Sequence, residues 1–496
     1  MHTFDSIIIG SGPCSEPVLF HLSKTKLDCL ILDSGNLYEK NNLLKKNKGL
    51  KFKKQISPKQ KLNQFKCFDR RWFHKINDFL FLSCKNFCYL YSFKSGGLSN
   101  SWGGGAFEWS SQEIKKTTSI PIKQIFNSYK LIRERLFIKK RNSFSKMTSF
   151  GKLLLKYKFK KINFKPAKFF LDENYKNKNI DYPFNQNLIW NSRNTIKKYI
   201  TNAPNLNYKK NTTVLCFNRK KDYWEICCKE KENIFFVKTK SIILCAGALN
   251  SAFLAFSGAN VDNVTLRFSH NHAFLIPIFC IRKKFKSISK NYLEIPELSW
   301  KENKNTKIKN YEISSGYFVN SIFIFKELIN NIFIKNNNFL QKIISFLLSR
   351  FGLITIFIPS KFSRIFLKLK KIKKVDKGIE IYATISNESN KKNLKIKKYQ
   401  ISKIILKSLP KWIFLLKFLT RSVTPGGDIH YSATLPEDVA NKSFFNTSSI
   451  GEIIKLPMIF AADPSRLAYL SSLPHTFTAM AIIEASMPQI IKKISK

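Results

Sequence analysis

The first thirty-odd residues constrain the fold more than any later stretch. In "DSIIIGSGPCSEPVLFHLSK" the apolar run Ser6 to Ile9 predicts a short buried strand, Gly10-Ser11-Gly12 a tight turn, and the residues that follow a helix running through Leu22. "LDCLILDSG" then predicts a second strand ending at Asp33. A strand, a glycine turn, a helix and a second strand, with an acid about 20 residues past the turn, is the order that seats a pyrophosphate on a helix N-terminus and a ribose hydroxyl on a carboxylate. Gly10, Gly12, Pro13, Asp33 and Ser34 are therefore candidate dinucleotide-binding residues, against the alternative of an ordinary tight turn. Ser15 stands where the pattern has its third glycine, a change that still permits close packing of helix on strand.

Three further segments fit the same reading. "SGGLSNSWGGGAFEW", Ser95 to Trp109, holds five glycines, one asparagine and two tryptophans. Glycine costs conformational entropy on folding, so such a cluster suggests backbone lying against a ligand; a glycine-rich surface loop with Trp102 in the core is the alternative. "SIILCAGALNSAFLAFSGAN" predicts a strand, Ile242 to Cys245, a turn at Ala246-Gly247-Ala248, and a helix, Asn250 to Phe256, stopping at Gly258. Upstream, "NTTVLCF" around Val214, "YWEICCK" and "IFFVKTK" predict a β-meander leading into Ile242. Near the C-terminus, "MIFAADPSRLAYLSSLPHTFTAMAIIEASMPQII" predicts a strand, an acidic turn at Asp463, an irregular loop to Pro474 and a helix from about Thr476.

Composition matters here chiefly through charge. A net charge of +54 raises nucleic acid or an anionic membrane as partner. Yet Met1 to Leu22, Ser95 to Glu113 and Ser241 to Thr265 contain no Lys or Arg, and Arg421 to Ile490 has four basic residues against six acidic. The basic excess avoids the glycine-rich segments, which points to compositional drift in a chain rich in Lys, Asn, Ile and Phe and away from specific nucleic-acid binding. A basic surface attracting anionic lipid or an anionic sugar carrier is the alternative. With 496 residues and 44% hydrophobic content the chain can build two domains and is not a disordered protein. Its ten cysteines form no CxxC pair, with Cys227-Cys228 adjacent and Cys84 and Cys88 four apart, as for free thiols in a reducing cytosol. The N-terminus lacks the basic region of a secretory signal, and "LLSRFGLITIFIPSKF" is broken by Arg350 and Lys361 before it could span a bilayer. The expected location is cytoplasmic, with peripheral membrane contact as the variant.

Taken in order, these segments resemble the glucose-methanol-choline family of flavoprotein oxidoreductases, most of all its pyranose-oxidase-like and bacterial polysaccharide-associated branch. "IIIGSGPCSE" is similar to the family's FAD pyrophosphate turn, "ILDSG" to its ribose-binding strand end, and "ILCAGALNSAFLAFSG" to its second signature. "GGLSNSWGGG" resembles the flavin-facing loop, "GGDIHYSATLPE" the segment carrying the catalytic histidine, and "FAADPSRLAYLSSLPHTFTAMA" the closing segment. The resemblance implies an α/β protein: a discontinuous FAD-binding Rossmann-like domain (1–110, 205–265 and 441–496) and a substrate domain (111–204 and 266–440) with an antiparallel sheet covered by helices. Alternating apolar residues at Ile379, Ile381, Ala383 and Ile385, preceded by "FLKLK", suggest such a sheet, and helical segments near Ile322 to Phe351 are expected to pack on it or, alternatively, to lie on a membrane. Gly97, Ser99, Asn100, Trp102 and Gly103 are implied to face the flavin, with Asn100 bonding its polar edge. Val214, Ala246, Gly247, Ser251, Asp463 and Thr476 are implied as further cofactor contacts. Some pyranose oxidases place a flavin-linking histidine in this loop; Ser101 holds the similar position here, so FAD is expected to be non-covalent.

Oxidising an alcohol requires a base for the hydroxyl proton while hydride leaves for the flavin, and imidazole titrates near neutrality. Of seven histidines, His2, His21 and His74 are read as surface or packing residues. His270 and His272 in "FSHNHAFL" are too sparse a set for a metal, and none is expected. His430 matches the family's catalytic position, although Glu437 replaces the usual methionine after Pro436. His475 precedes "TFTAMA" about one residue out of register with the family's second His or Asn, and is read as a second catalytic residue or a helix cap. The expected activity is oxidation of a CH–OH group on a small alcohol or sugar, free or lipid- or nucleotide-linked, with oxygen, a quinone or another carrier as acceptor. The alternatives are other flavin chemistry, such as that of a sterol oxidase or sugar mutase, and a basic membrane- or nucleic-acid-binding protein on a vestigial flavin fold.

Overall fold

The computed structural model describes residues 2–38, 66–68, 74–77, 80–100, 102–140, 149–156, 162–173, 189–281, 298–302, 314–320, 350–374, 378–438 and 443–496. Its central sheet grows from the N-terminal strand Thr3–Ile9, whose last four residues are buried on both faces, as a strand with helices above and below must be. This strand pairs in parallel with Cys29–Leu32 on one side and Asn233–Leu244 on the other, with Ile8 opposite both Ile31 and Ile243. Leu206–Lys209 extends the sheet beyond Cys29–Leu32, and Ile459–Ala461 lies parallel to the end of Asn233–Leu244. The predicted meander limb and the strand at Ile242 are one strand of 12 residues. Its first half pairs antiparallel with Trp224–Glu230, and Thr212–Arg219 completes the hairpin. Partly exposed residues there give way to fully buried ones as the strand enters the sheet, and that change of burial resembles a boundary in the sequence.

Helix Ser15–Leu22 packs its Val18, Leu19 and Leu22 against Ile482 and Ile483 of the C-terminal helix Thr476–Ile494 on one face of the sheet. On the other face helix Ala248–Gly258 is wedged between the central sheet and a second one, so Leu249 and Phe253 share a core with Leu367, Ile381 and Ile385. This second sheet runs Tyr431–Ser432, Asn263–His270, Ile365–Lys374, Gly378–Asn387, Leu80–Lys85, His74–Asn77. Ile365, Leu367 and Leu369 are buried while Lys368 and Lys370 are exposed, the one-sided pattern that the alternation predicts.

A third, antiparallel sheet runs Ile413–Leu415, His272–Cys280, Phe351–Ile358, Ser315–Asn320, Leu298–Glu302, Ile162–Pro166. Helix Lys391–Ser408 covers one of its faces, with Ile401 and Ile405 in the same core as Ile276, Ile278 and Cys280. The helical reading near Ile322 falls on residues outside those described up to 349, and Phe351 opens a strand: "FGLITIFI" lies between two strands of the sheet. The second and third sheets are joined at Asn271, where the chain leaves one strand and enters the next; its side-chain amide donates to Ser471 O at 2.6 Å. The architecture is thus α/β, a Rossmann-like sheet with a parallel core assembled from distant segments, beside a mixed second sheet, in which Gly378–Asn387 and Leu80–Lys85 run parallel, and an antiparallel third one. Among the described residues no helix is long and apolar enough to cross a membrane.

Candidate functional site

The glycine turn is shaped by its neighbours. Gly10 has φ +98°, and a side chain there would meet Cys245 O at 2.7 Å, so only glycine lets the two parallel strand ends come this close. Ser11 Oγ donates to Asp33 Oδ2 at 2.5 Å and accepts Gly96 N–H at 2.9 Å, tying the turn, the second strand end and the glycine loop together. Ser15, fully buried, donates its hydroxyl to Gly12 O at 2.7 Å, so the residue replacing the third glycine braces the turn from behind.

In the glycine loop, Ser99 Oγ donates to Gly96 O at 2.6 Å. Asn100 does not take the expected outward role. Its Nδ2 donates to Ser95 O and Gly97 O, each at 2.8 Å, and its Oδ1 accepts from Asn191 Nδ2 at 2.7 Å, so the amide holds the loop's own curve. Trp102 stacks on Phe170 with ring centres 5.5 Å apart and donates its indole N–H to Trp190 O.

At the second signature, Asp463 accepts from Gly247 N at 2.9 Å, from Ser465 N at 2.8 Å and from the Ser251 hydroxyl. The carboxylate satisfies free N–H groups where helix Ala248–Gly258 begins, which links the C-terminal turn to that helix. Burial raises its pKa despite these donors. Ser251 thus reaches the site only through Asp463.

Gly10, Gly12, Pro13, Asp33, Ser34, Gly97, Ser99, Trp102, Gly103, Val214, Ala246, Gly247, Asp463, Thr476, His430 and His475 all line one cavity of about 480 Å³, whereas Ser15, Asn100 and Ser251 do not. Side chains built at Gly103 or Gly247 would meet no protein atom within 4 Å, and one at Gly12 would meet only Cys245 O at 3.7 Å. These three glycines therefore leave space open toward the cavity, whereas Gly104, whose side chain would fall 2.6 Å from Ile189 Cγ2, is glycine because of its protein neighbour. Ser101 lies outside the described residues.

His430 and His475 both line the cavity, their ring centres 5.5 Å apart and planes at 87°. His475 sits at the N-terminal boundary of the last helix but makes no capping hydrogen bond with its side chain, so the cap reading is not supported. It is 6% exposed, and burial, followed by the neighbouring His430, lowers its pKa to about 3, which keeps it neutral. Phe357 packs on His430 at 5.3 Å and touches Tyr317, so the third sheet walls this end of the cavity. His270 Nε2 lies 2.7 Å from Asp428 Oδ1, and among the described residues there is no group of three or more His, Cys, Asp or Glu that could hold an ion.

Sequence reasoning missed Ser11, Asp428, Tyr317 and Phe357. Ser11 stands inside the glycine turn and Asp428 two residues before His430, signals that adjacency alone offers. Tyr317 reaches the cavity, and Phe357 reaches His430, only through the pairing of distant strands.

The fold and cavity together define a two-part α/β protein with a dinucleotide-type glycine turn opening onto a histidine-bearing chamber. Among solved structures the chain is similar to pyridoxine 4-oxidase from Mesorbium loti, with 98% of this chain and 99% of that one aligned, a TM-score of 0.60 and 10% sequence identity. At that identity the likeness is one of fold, the fold implied by the resemblance to the glucose-methanol-choline oxidoreductases. No family model matches the chain, and no curated protein matches it.

Proposed function

We propose that the protein is an FAD-dependent oxidoreductase that oxidises a CH–OH group, most readily on a sugar or glycoconjugate, and holds its FAD without a covalent link. The observation that carries this reading is the meeting of two imidazoles with three open glycines in one cavity. Support also comes from the solved oxidase of the same fold. Gly10, Gly12 and the start of helix Ser15–Leu22 fit a pyrophosphate, Asp33 a ribose hydroxyl, and the backbone at Gly103 and Gly247 the flat remainder of the cofactor. Bound there, a flavin supplies the hydride acceptor.

The chain's own residues supply the rest. His430, bordering the cavity and partly solvated, takes the hydroxyl proton as general base. His475, kept neutral by its burial, orients the hydroxyl by a hydrogen bond and adds no competing positive charge. Phe107 and Tyr317 line the cavity, and Phe357 packs against Tyr317 and His430, so aromatic rings exclude water from this end.

The test is a visible spectrum of the purified protein followed by anaerobic titration with a panel of sugars and primary and secondary alcohols. Loss of the oxidised flavin band with one chemical class supports the reading and names the class. A protein that binds no flavin, or one whose flavin no alcohol bleaches, overturns it; the latter result would favour a redox-neutral reaction such as that of a sugar mutase.

A further inference from the structure

Asp428 lies in the loop two residues before His430, and its side chain is 6% exposed. Its two oxygens have different surroundings. Oδ1 is 2.7 Å from His270 Nε2, at the end of the strand Asn263–His270. Oδ2 stands 3.4 Å from His430 Nδ1, and neither of those atoms has a hydrogen-bond partner among the described residues.

His270 Nε2 also lies 2.8 Å from Gly426 N–H, and it cannot serve both neighbours at once. With a proton it donates to Asp428; without one it accepts from Gly426. Burial would push the Asp428 carboxyl up, but the charges and hydrogen bonds of His270 and then His430 outweigh it and hold the acid well below the usual carboxylate range. An ionised Asp428 therefore has the Nε2 proton of His270 directed at it.

Between the two residues Ile429 has φ +64°, a left-handed conformation that a β-branched side chain rarely adopts. Strain of this kind persists where surrounding structure imposes it, and here it sets the directions of Asp428 and His430 relative to each other.

We propose that Asp428 is a positioning residue: held on Oδ1 by His270, it keeps a proton on His430 Nδ1 through Oδ2, leaving His430 Nε2 as the lone-pair nitrogen. That this nitrogen serves as a catalytic base rests on the function proposed above; the tautomer does not. When His430 gains a second proton at Nε2, the carboxylate balances the new charge across Nδ1 without itself becoming protonated. The groups around His430 are Asp428 and, behind it, His270 and His272; His475 from the start of the last helix; and Tyr317 from the third sheet.

The experiment is long-range nitrogen–proton NMR on the purified, histidine-labelled protein, with His430 assigned by the loss of its signals in H430Q. Wild type should show His430 protonated at Nδ1, and Asp428→Asn should move the proton toward Nε2, since the carboxylate that accepts from Nδ1 is gone. A wild-type His430 protonated at Nε2, or a tautomer unchanged in Asp428→Asn, overturns the proposal, and the wild-type spectrum decides it even if the variant fails to fold. With a substrate in hand, flavin reduction in Asp428→Asn should slow roughly 10²-fold or more, with flavin content unchanged. If no alcohol reduces the flavin while the NMR result holds, the proposed function fails and the positioning role stands.

Discussion

The ring of His475 meets that of His430 edge-on, 5.5 Å between centres and 87° between planes, although one begins the last helix and the other follows a turn leading to the short strand Tyr431–Ser432. Each comes from a different part of the fold, so removing one leaves the scaffold of the other in place. The pair nevertheless differs in environment: burial lowers the His475 pKa to about 3, whereas His430 faces Asp428 and keeps part of its surface in the open cavity.

That asymmetry predicts unequal variants. His430→Ala should retain flavin and fold but reduce that flavin with substrate roughly 10²–10⁴-fold more slowly, the usual contribution of a positioned base. His475→Asn should be milder, because an amide can still donate to an oriented hydroxyl. Anaerobic stopped-flow reduction of both variants is the measurement; a crippled His475→Asn beside a normal His430→Ala would reverse the roles.

Two adjacent glycines should separate cofactor space from protein packing. At Gly103 a side chain meets no protein atom within 4 Å, so Gly103→Val should fold with nearly wild-type stability and lose flavin. At Gly104 the new side chain would collide with Ile189, and φ +63° adds strain, so Gly104→Val should lose on the order of 1–3 kcal/mol of stability. Flavin absorbance per protein, compared with urea midpoints of the flavin-free forms, checks both. Equal behaviour of the two variants would count against the cavity as the cofactor site.

Acid should weaken the fold well above the carboxylate range. The pKa values of His272 and His475 are each lowered to about 3, chiefly by burial, so below about pH 6.5 the unfolded chain takes up protons that the folded chain refuses. Stability is therefore fully present above that pH and falls below it by about 1.4 kcal/mol per pH unit for each such histidine. Asp428 and Glu484, whose carboxyls are held down in the fold, add a further loss below about pH 4. Denaturation midpoints from pH 8 to 4 test this, with His475→Gln expected to flatten the upper part of the slope; a stability constant from pH 6.5 to 4.5 would refute it.

Arg135 joins three helices through two buried acids. Its Nε donates to Glu16 Oε1 at 3.0 Å and its Nη1 to Glu484 Oε1 at 3.1 Å, while Tyr199 donates to Glu16 and His21 meets Glu484 at 2.9 Å. Arg135→Ala should cost about 3–5 kcal/mol, because it leaves two buried carboxylates facing each other. Arg135→Ala together with Glu16→Gln should recover part of the loss in thermal or chemical melts. No recovery would mean that packing of the guanidinium, not charge, is what matters there.

The legibility of the site followed the range of its interactions. Gly10, Gly12, Asp33, Gly247 and Asp463 stand at strand ends, and their spacing along a strand–turn–helix unit is local, so the linear chain displays it. Asp428 shows no such periodicity. Its significance arises when the end of Asn263–His270 comes against the loop before Tyr431, a contact between segments more than a hundred residues apart. The apolar run around Phe351–Ile358 was ambiguous for a similar reason: a strand flanked by two others is apolar on both faces, and only its partners distinguish it from a span or a buried helix. Asn100 suggests a ligand contact in the sequence because it is a polar residue amid glycines; that its amide holds the loop those glycines free is seen only in the fold.

The position of Ile459–Ala461 beside the end of Asn233–Leu244 has a consequence for how the protein is made. Gly10 and Gly12 leave the ribosome about 450 residues before Asp463 and His475, which line the same cavity. From Leu244 until Ile459 is made, the edge of Asn233–Leu244 that will receive Ile459–Ala461 has no partner, and exposed strand edges invite association with other chains. The chamber can close only once Ile459–Ala461 and the helix after it have been made, so a nascent chain halted before Ile459 should be unable to retain flavin and should depend on chaperones to stay soluble.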